Sequence, residues 1–320
     1  MSVAVRTGKS AIRLASGVIN TSLLTVILIL LTFACYSIWD TNQVHHAADA
    51  TNYEKYKPTV VNESVSFEEL RAVNPEVFAW LTVYGTHIDY PMTQGKDNLK
   101  YVNTDALGNY SLSGAIFLDS QCSPDFSDFS NIVFGHHMEK QTMFGEIGLF
   151  TDESYFNARR YGMLYYEGIE HGLEFFAFVH TDAYDRSVFH AKITEPEEQQ
   201  MYLDMLLQKA IHIRKDVSVT IDDRLVLLST CSETSTNGRD LLIGRITDKA
   251  YDDPFIEPAA APKKFPANTI DKLSSLYEQA PAWVKLIAMA MSLLLIFLII
   301  RTIIVLRKRK RVRTLQMGGE

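Results

Sequence analysis

Cysteine is scarce. The 320 residues hold three, Cys35, Cys122 and Cys231, too few for a disulfide framework to brace the fold. One bridge between Cys122 and Cys231 stays open at this level. Acids are missing from residues 1–19, which carry Arg6, Lys9 and Arg13. Charge of either sign is missing from residues 20–39. Residues 301–320 hold one acid, Glu320, against Arg301, Arg307, Lys308, Arg309, Lys310, Arg311 and Arg313. Taking those ten basic residues and that acid from totals of 31 and 38 leaves 21 against 37 for residues 20–300, a net charge near -16. An acidic middle between two basic ends excludes a nucleic-acid binder. The adjacent pair His45 and His46 lacks spaced partners, so it reads as solvated surface rather than a metal site. No internal repeat is visible.

The segregated charge goes with two apolar stretches. Residues 20–39 are long enough to span a bilayer. Tyr36 and Trp39 suit the outer interface, and the basic residues before them suit a cytoplasmic start. The stretch is long for a signal peptide and has no clear small-residue cleavage site, so an uncleaved anchor is expected. Residues 286–306 form a second expected span. Its one charge, Arg301, lies near the end where it can snorkel, and the basic block 307–313 fixes that end inside. Both termini are then cytoplasmic, and residues of about 40–283 face outward.

Two stretches of that outward region stand out. Residues 225–228 are Leu-Val-Leu-Leu and run into Ser229, Thr230 and Cys231, a buried strand ending at a rim. Past the turn signal Asn237-Gly238, Arg239 heads a second apolar run through Ile246. A strand, a polar loop and a returning strand place Cys231 beside Arg239. A guanidinium there favours a thiolate and can hold an oxyanion; a core cysteine and a surface arginine are the plain alternative. The second stretch, Ile132-Val133-Phe134-Gly135-His136-His137, is again a short strand ending in reactive side chains, which makes a Cys-His pair conceivable.

The remaining pattern is short strands with few helices. A capping box at Ser66–Glu69 starts a short helix that Asn74-Pro75 closes. Residues 42–57 suggest a lead-in helix. Strands are expected at 77–83, at 87–92 with edge character from Pro91, at 114–119, at 163–166 and 173–179 turning near Gly168, and at 217–221. The stretch 120–130, with Cys122, reads as a surface loop. Residues 196–210 read as a helix whose apolar side is Met201, Leu203, Met205, Leu206 and Leu207. Pro254, Pro258, Pro262 and Pro266 mark a linker back to the membrane. The segments are therefore 1–19 cytoplasmic, 20–39 transmembrane, 40–64 lead-in, 65–250 folded outward domain, 251–283 linker, 286–306 transmembrane and 307–320 basic tail.

These residues resemble a class B sortase. Leu228-Ser229-Thr230-Cys231 matches the family's cysteine strand end, with Leu227 where many members have threonine or serine. Asn237-Gly238-Arg239 and the run to Gly244 match its arginine strand. Phe134-Gly135-His136-His137-Met138, followed by Met143-Phe144, matches its histidine segment, with Phe134 in place of tyrosine. Phe67 to Leu70, Asp89-Tyr90-Pro91, Gln94 to Asn98 and the helix at 196–210 are similar as well. The likeness covers roughly residues 65–250.

The resemblance implies a mostly β fold, an eight-stranded sortase-type barrel with helical insertions, flanked here by two transmembrane helices. It implies a cysteine transpeptidase that cleaves a C-terminal sorting signal after threonine. Cys231 is the implied nucleophile, His136 the acid/base and Arg239 the oxyanion or signal-positioning residue, with Arg245 the alternative arginine. No metal or cofactor is implied. The implied partners are sorting-signal proteins, the membrane, and an amine on either peptidoglycan precursor or a pilin subunit. The competing classes are a thiol protease that hydrolyses the acyl-enzyme and a silent membrane-anchored binding module.

Overall fold

Leucine and valine fill both faces of the strand that ends in Cys231, and the computed structural model shows why. Val226 and Leu228 pack into one core while Leu225 and Leu227 pack into another. That is the period-2 alternation of a strand covered on both sides. The structure describes residues 3–58, 65–232, 236–255 and 285–286. It divides into two compact units, Asn42–Pro258 and a second made of Met1–Thr41 with Ala259–Glu320.

The first unit is built on β1 (Val77–Val83), β2 (Asp89–Thr93), β3 (Ile116–Leu118), β4 (Ser130–Phe134), β5 (Tyr161–Tyr166), β6 (Ile169–Asp182), β7 (Ala210–Ile213), β8 (Leu225–Cys231) and β9 (Gly238–Thr247). Neighbours run β5-β1-β2-β3-β4-β8-β9-β6, and β5 pairs again with β6. Eight strands therefore close into a barrel with no free edge. β7 adds onto β6 outside that ring. Most pairs are antiparallel; β2 with β3 and β4 with β8 are parallel.

Trp80, Leu81, Phe144, Phe150 and Phe178 are fully buried in the first core, which fills the barrel. The second core lies on the far face of β6, β8 and β9, where Val179, Leu227, Leu241 and Ile243 meet Tyr202, Leu203 and Leu206 of helix α4 (Pro196–Lys209). Truncating a buried leucine such as Leu206 to alanine costs about 2–5 kcal/mol. Asp89 ties strands to the lead-in: it accepts from Trp80 Nε1 at 2.7 Å, Thr82 Oγ1 at 2.8 Å and Lys57 Nζ at 2.7 Å.

Helix α1 (Val3–Ala47), which belongs to the second unit as far as Thr41, contains Ala15–Ala47, long and apolar enough to cross a membrane. The expected span at 286–306 lies outside the described residues, Leu286 excepted.

Several expectations need correction. Pro91 is not on an edge: β2 lies between β1 and β3, but β3 pairs only with Met92 and Thr93, so the missing proline N–H costs no ladder bond there. Residues 217–221 form no strand, because Thr220 turns back onto Asp223 and the Ser218 carbonyl accepts from Arg245. The added strand is β7, which leaves α4 directly at Ala210 with no glycine or proline to announce it. The loop at 120–130 is not a surface loop throughout: Cys122 is 4% exposed and Phe126 is fully buried. On α4, Met201 is 64% exposed and Tyr202 is the buried residue, donating to the Val188 carbonyl at 2.7 Å. Helix α2 (Val65–Val73) begins before Ser66, which sits inside the first turn rather than capping it. The lead-in is the end of α1 followed by 3-10 turns at Ala50–Asn52 and Glu54–Tyr56. The start of the expected linker packs on the barrel, with Tyr251 stacked on Tyr161 at 4.1 Å.

Candidate active site

The ladder of β4, β8 and β9 fixes where the reactive residues stand. β4 and β8 run parallel with Phe134 opposite Ser229, and the Gly135 amide donates to the Ser229 carbonyl at 3.2 Å. His136 and Cys231 each lie two residues beyond that rung, so both leave the barrel at the same rim. On the other side of β8, Cys231 pairs directly with Arg239 of β9. Adjacent strands are about 4.8 Å apart, so Cys231 and Arg239 stand side by side, and His136 lies just past the end of β4 on the other side of β8. All three line one cavity of about 470 Å³.

Each residue is held locally. His136 follows Gly135, where a Cβ would stand 2.6 Å from Ile116 Cδ1 and 2.7 Å from the Phe144 ring. Glycine is thus required for the turn off β4 to pass that close. The His136 carbonyl accepts from the Phe144 amide at 3.0 Å. Its Nε2 donates to the Val102 carbonyl at 2.8 Å; a carbonyl only accepts, so Nε2 carries hydrogen and Nδ1 is the site left to exchange a proton. Arg239 is half-buried and donates to the Gly238 carbonyl at 3.0 Å. The Ser229 and Thr230 hydroxyls are buried in the cavity wall and have no hydrogen-bond partner among the described residues.

The two outward cysteines differ sharply. Cys231 is exposed and Cys122 buried, and both are free, which closes the question of a bridge between them. Burial pushes the Cys122 thiol up to about 12, and its Sγ lies 3.6 Å from the Ser130 carbonyl. It is a packed side chain, not a reactive one. Arg245 is far from the rim. It pairs with Leu225 at the opposite end of β8 and is bound to Glu174 at 2.8 Å and to the Ser218 carbonyl at 2.7 Å. His137 lines a different cavity.

The sequence pattern did not reveal the rest of the wall. Phe117, Phe134 and Phe189 supply an apolar side, with Phe134 stacked on Phe189 at 6.3 Å. Asn98 is fixed by Asp119 at 2.9 Å and by the Ser120 amide at 2.8 Å. Asn98 lay in a stretch already noted for its likeness, but Val102 contributes a backbone carbonyl, for which no side-chain signal exists.

Comparison with known proteins agrees with this geometry. No family model matches the chain. It is 45% identical to the sortase B from the type II pilus of Streptococcus pneumoniae, with a TM-score of 0.51 over 57% of this chain and 99% of that one. It is 39% identical to a Streptococcus pyogenes class B sortase involved in pilus biogenesis, with a TM-score of 0.52 over 57% and 98%. It is 28% identical over 182 residues to sortase B of Staphylococcus aureus, 56% of this chain and 74% of that protein. The closed eight-stranded barrel together with these likenesses makes the chain a sortase. Within that class, the chain belongs to the class B sortases and is a cysteine transpeptidase.

Proposed function

We propose that this chain is a membrane-anchored pilin polymerase, with Cys231 as nucleophile, His136 as acid/base and Arg239 as oxyanion donor. What supports the reading is that Cys231 pairs with Arg239 across β8 and β9 and that both line one cavity with His136. Cys231 Sγ attacks the threonine carbonyl of a sorting signal, and Arg239 holds the negative charge that develops on the oxygen. His136 Nδ1 takes the thiol proton as Cys231 attacks and gives it to the leaving amine as the peptide C–N bond breaks. The thioester then passes to a primary amine, and Cys231 is released. The Ser229 and Thr230 hydroxyls are available to hold the signal's backbone.

Similarity to two pilus-associated sortases favours a pilin lysine over peptidoglycan as acceptor. In this reading both termini are cytoplasmic, residues 286–306 form a second span, and the barrel faces outward beside the precursor's own membrane-held tail.

Cys231→Ala tests the chemistry. It should abolish the thioacyl intermediate, read by mass spectrometry on a panel of sorting-signal peptides, and persistence of that intermediate ends the assignment. Arg239→Ala should lower kcat by about 10²–10³. Deleting the gene tests the acceptor. Loss of a high-molecular-weight ladder from wall extracts supports polymerisation, whereas release of a monomeric surface protein with any ladder intact points to wall anchoring instead.

A further inference from the structure

The ring of His136 is aimed by main chain rather than by a carboxylate. Its Nε2 donates to the Val102 carbonyl at 2.8 Å. A carbonyl has no hydrogen to give, so a single tautomer satisfies both groups. In the other tautomer two lone pairs would face each other, and Nδ1 would already carry hydrogen where the thiol proton must arrive. The carbonyl therefore performs the orienting task that a buried carboxylate performs in a Ser-His-Asp triad. It does so only while it stays in place. Val102 lies outside every strand, at the end of the 3-10 turn Lys100–Val102, so contacts other than the sheet ladder must hold it.

The structure supplies them on both sides of the turn. Tyr101, the residue before Val102, is fully buried. Its hydroxyl donates to Glu76 Oε2 at 2.6 Å and accepts from Asn74 Nδ2 at 3.0 Å. Asn74 and Glu76 both belong to the connection between α2 and β1. Burial raises the Glu76 carboxyl, but hydrogen bonds from Lys100 and Tyr101 outweigh it and hold it below its ordinary value. The phenol thus meets a carboxylate, the stronger kind of acceptor. The Tyr101 carbonyl accepts from the Ala115 amide at 3.0 Å. At the start of the turn, Asp97 Oδ1 accepts from the Leu99 amide at 2.9 Å and the Lys100 amide at 3.1 Å. Gly114 closes the far side. Its φ is 59°, and a Cβ there would stand 2.4 Å from the Tyr101 carbonyl oxygen and 2.7 Å from that of Val102. Glycine alone lets the chain pass against both oxygens.

We propose that Tyr101 and Gly114 are positioning residues of the transpeptidase. They clamp the Val102 carbonyl where it admits one tautomer of His136, with hydrogen on Nε2 and Nδ1 open to the thiol and the amine. The assignment rests on the reading of His136 as acid/base given above. Neither residue lines the cavity; both act through a backbone oxygen.

The experiment uses the full chain in nanodiscs with a sorting-signal peptide. Tyr101→Phe keeps the ring and removes the tether. It should lower kcat by about tenfold or more while the peptide KM moves less than about twofold, because the orientation of His136 serves proton transfer and not binding. ¹⁵N spectra of the histidine-labelled chain, taken where the ring is neutral and assigned by difference with His136→Ala, read the tautomer. Wild type should carry hydrogen on His136 Nε2 alone, and Tyr101→Phe should show both forms. Gly114→Ala pushes on the Val102 carbonyl directly and serves as the second variant if Tyr101→Phe misfolds; it should move kcat and the spectrum in the same direction. A wild-type His136 with hydrogen on Nδ1 overturns the proposal before any variant is made. An unmoved kcat in the folded variant overturns it too. So does a lowered kcat with the tautomer unchanged, which assigns the loss to packing. A wild-type kcat in His136→Ala removes the acid/base reading itself, a separate failure.

Discussion

Tyr90→Phe removes one oxygen from the barrel and should disturb the active site at a distance. The Tyr90 hydroxyl donates to the Ala48 carbonyl at 2.9 Å and accepts from the Met143 amide at 2.9 Å, both in buried surroundings. Burial pushes the phenol well above its ordinary value, so it stays a donor at any working pH. Met143 has φ of 52°, in the left-handed region that side chains disfavour, and it bridges to His137. Its neighbour Phe144 donates to the His136 carbonyl. The hydroxyl therefore pins a strained turn that in turn holds the histidine. Phenylalanine leaves two buried backbone groups unpaired, at about 1–3 kcal/mol each when nothing relaxes. Partial relaxation leaves a net loss of about 2–4 kcal/mol, which for a domain of this size lowers Tm by roughly 4–16 °C. Thermal unfolding by circular dichroism reads the first effect. Peptide cleavage reads the second, expected as a fall in kcat with KM little changed. Exposed Tyr184→Phe is the control. A Tm within about 1 °C of wild type, on the scale just used, refutes the chain of support from Tyr90 to His136.

Three further outcomes follow from the same geometry. At pH 8, iodoacetamide should modify exposed Cys231 and spare buried Cys122 until the protein is unfolded, as peptide mapping will show; equal labelling contradicts the burial argument. His136→Ala should cut the turnover rate by about 10²–10⁴ while His137→Asn stays mild, and the reverse ranking in a kcat assay means the register of β4 is wrong by one residue. Burial raises the Asp185 carboxyl, but hydrogen bonds from Lys209, Ser187 and Thr181 outweigh it and hold it well below the usual range. A depressed acid supports the fold above its unfolded value of about 3.9 and loses that support as pH falls. Denaturant titrations should therefore show a steeper loss of stability below pH 4 in wild type than in Asp185→Asn, and parallel curves contradict this.

Much of the core was legible because its signals are local. The apolar run before Cys231 and the Asn237-Gly238 turn before Arg239 fixed two neighbouring strands, and the structure pairs those residues directly. The approach of His136 to Cys231 was not legible, because the near ends of β4 and β8, Phe134 and Leu225, are 91 residues apart and the strands pair in parallel, which no turn announces. Pro91 misled for the opposite reason: a local rule about edges gave way to a neighbour too short to need its missing donor. Cys122 looked exposed because serine, proline and aspartate surround it, yet Phe126 and Phe129 draw its loop inward. The contact of His180 with Asp240 was invisible in the sequence, since the two come from β6 and β9 and meet only through the ladder.

The parallel pairing of β4 with β8 has a consequence for how such an enzyme diversifies. The strands that lead to His136 and Cys231, the proposed proton partner and nucleophile, are registered by main-chain hydrogen bonds that no side-chain replacement removes. The walls around them belong to other segments: Asn98 and Val102 come from the stretch between β2 and β3, and Ala183 and Phe189 from the stretch between β6 and α4. Those segments can lengthen, shorten or be exchanged between homologues while the reactive centre keeps its spacing. Grafting them is thus the rational way to alter which peptide the cavity accepts without moving Cys231 or His136.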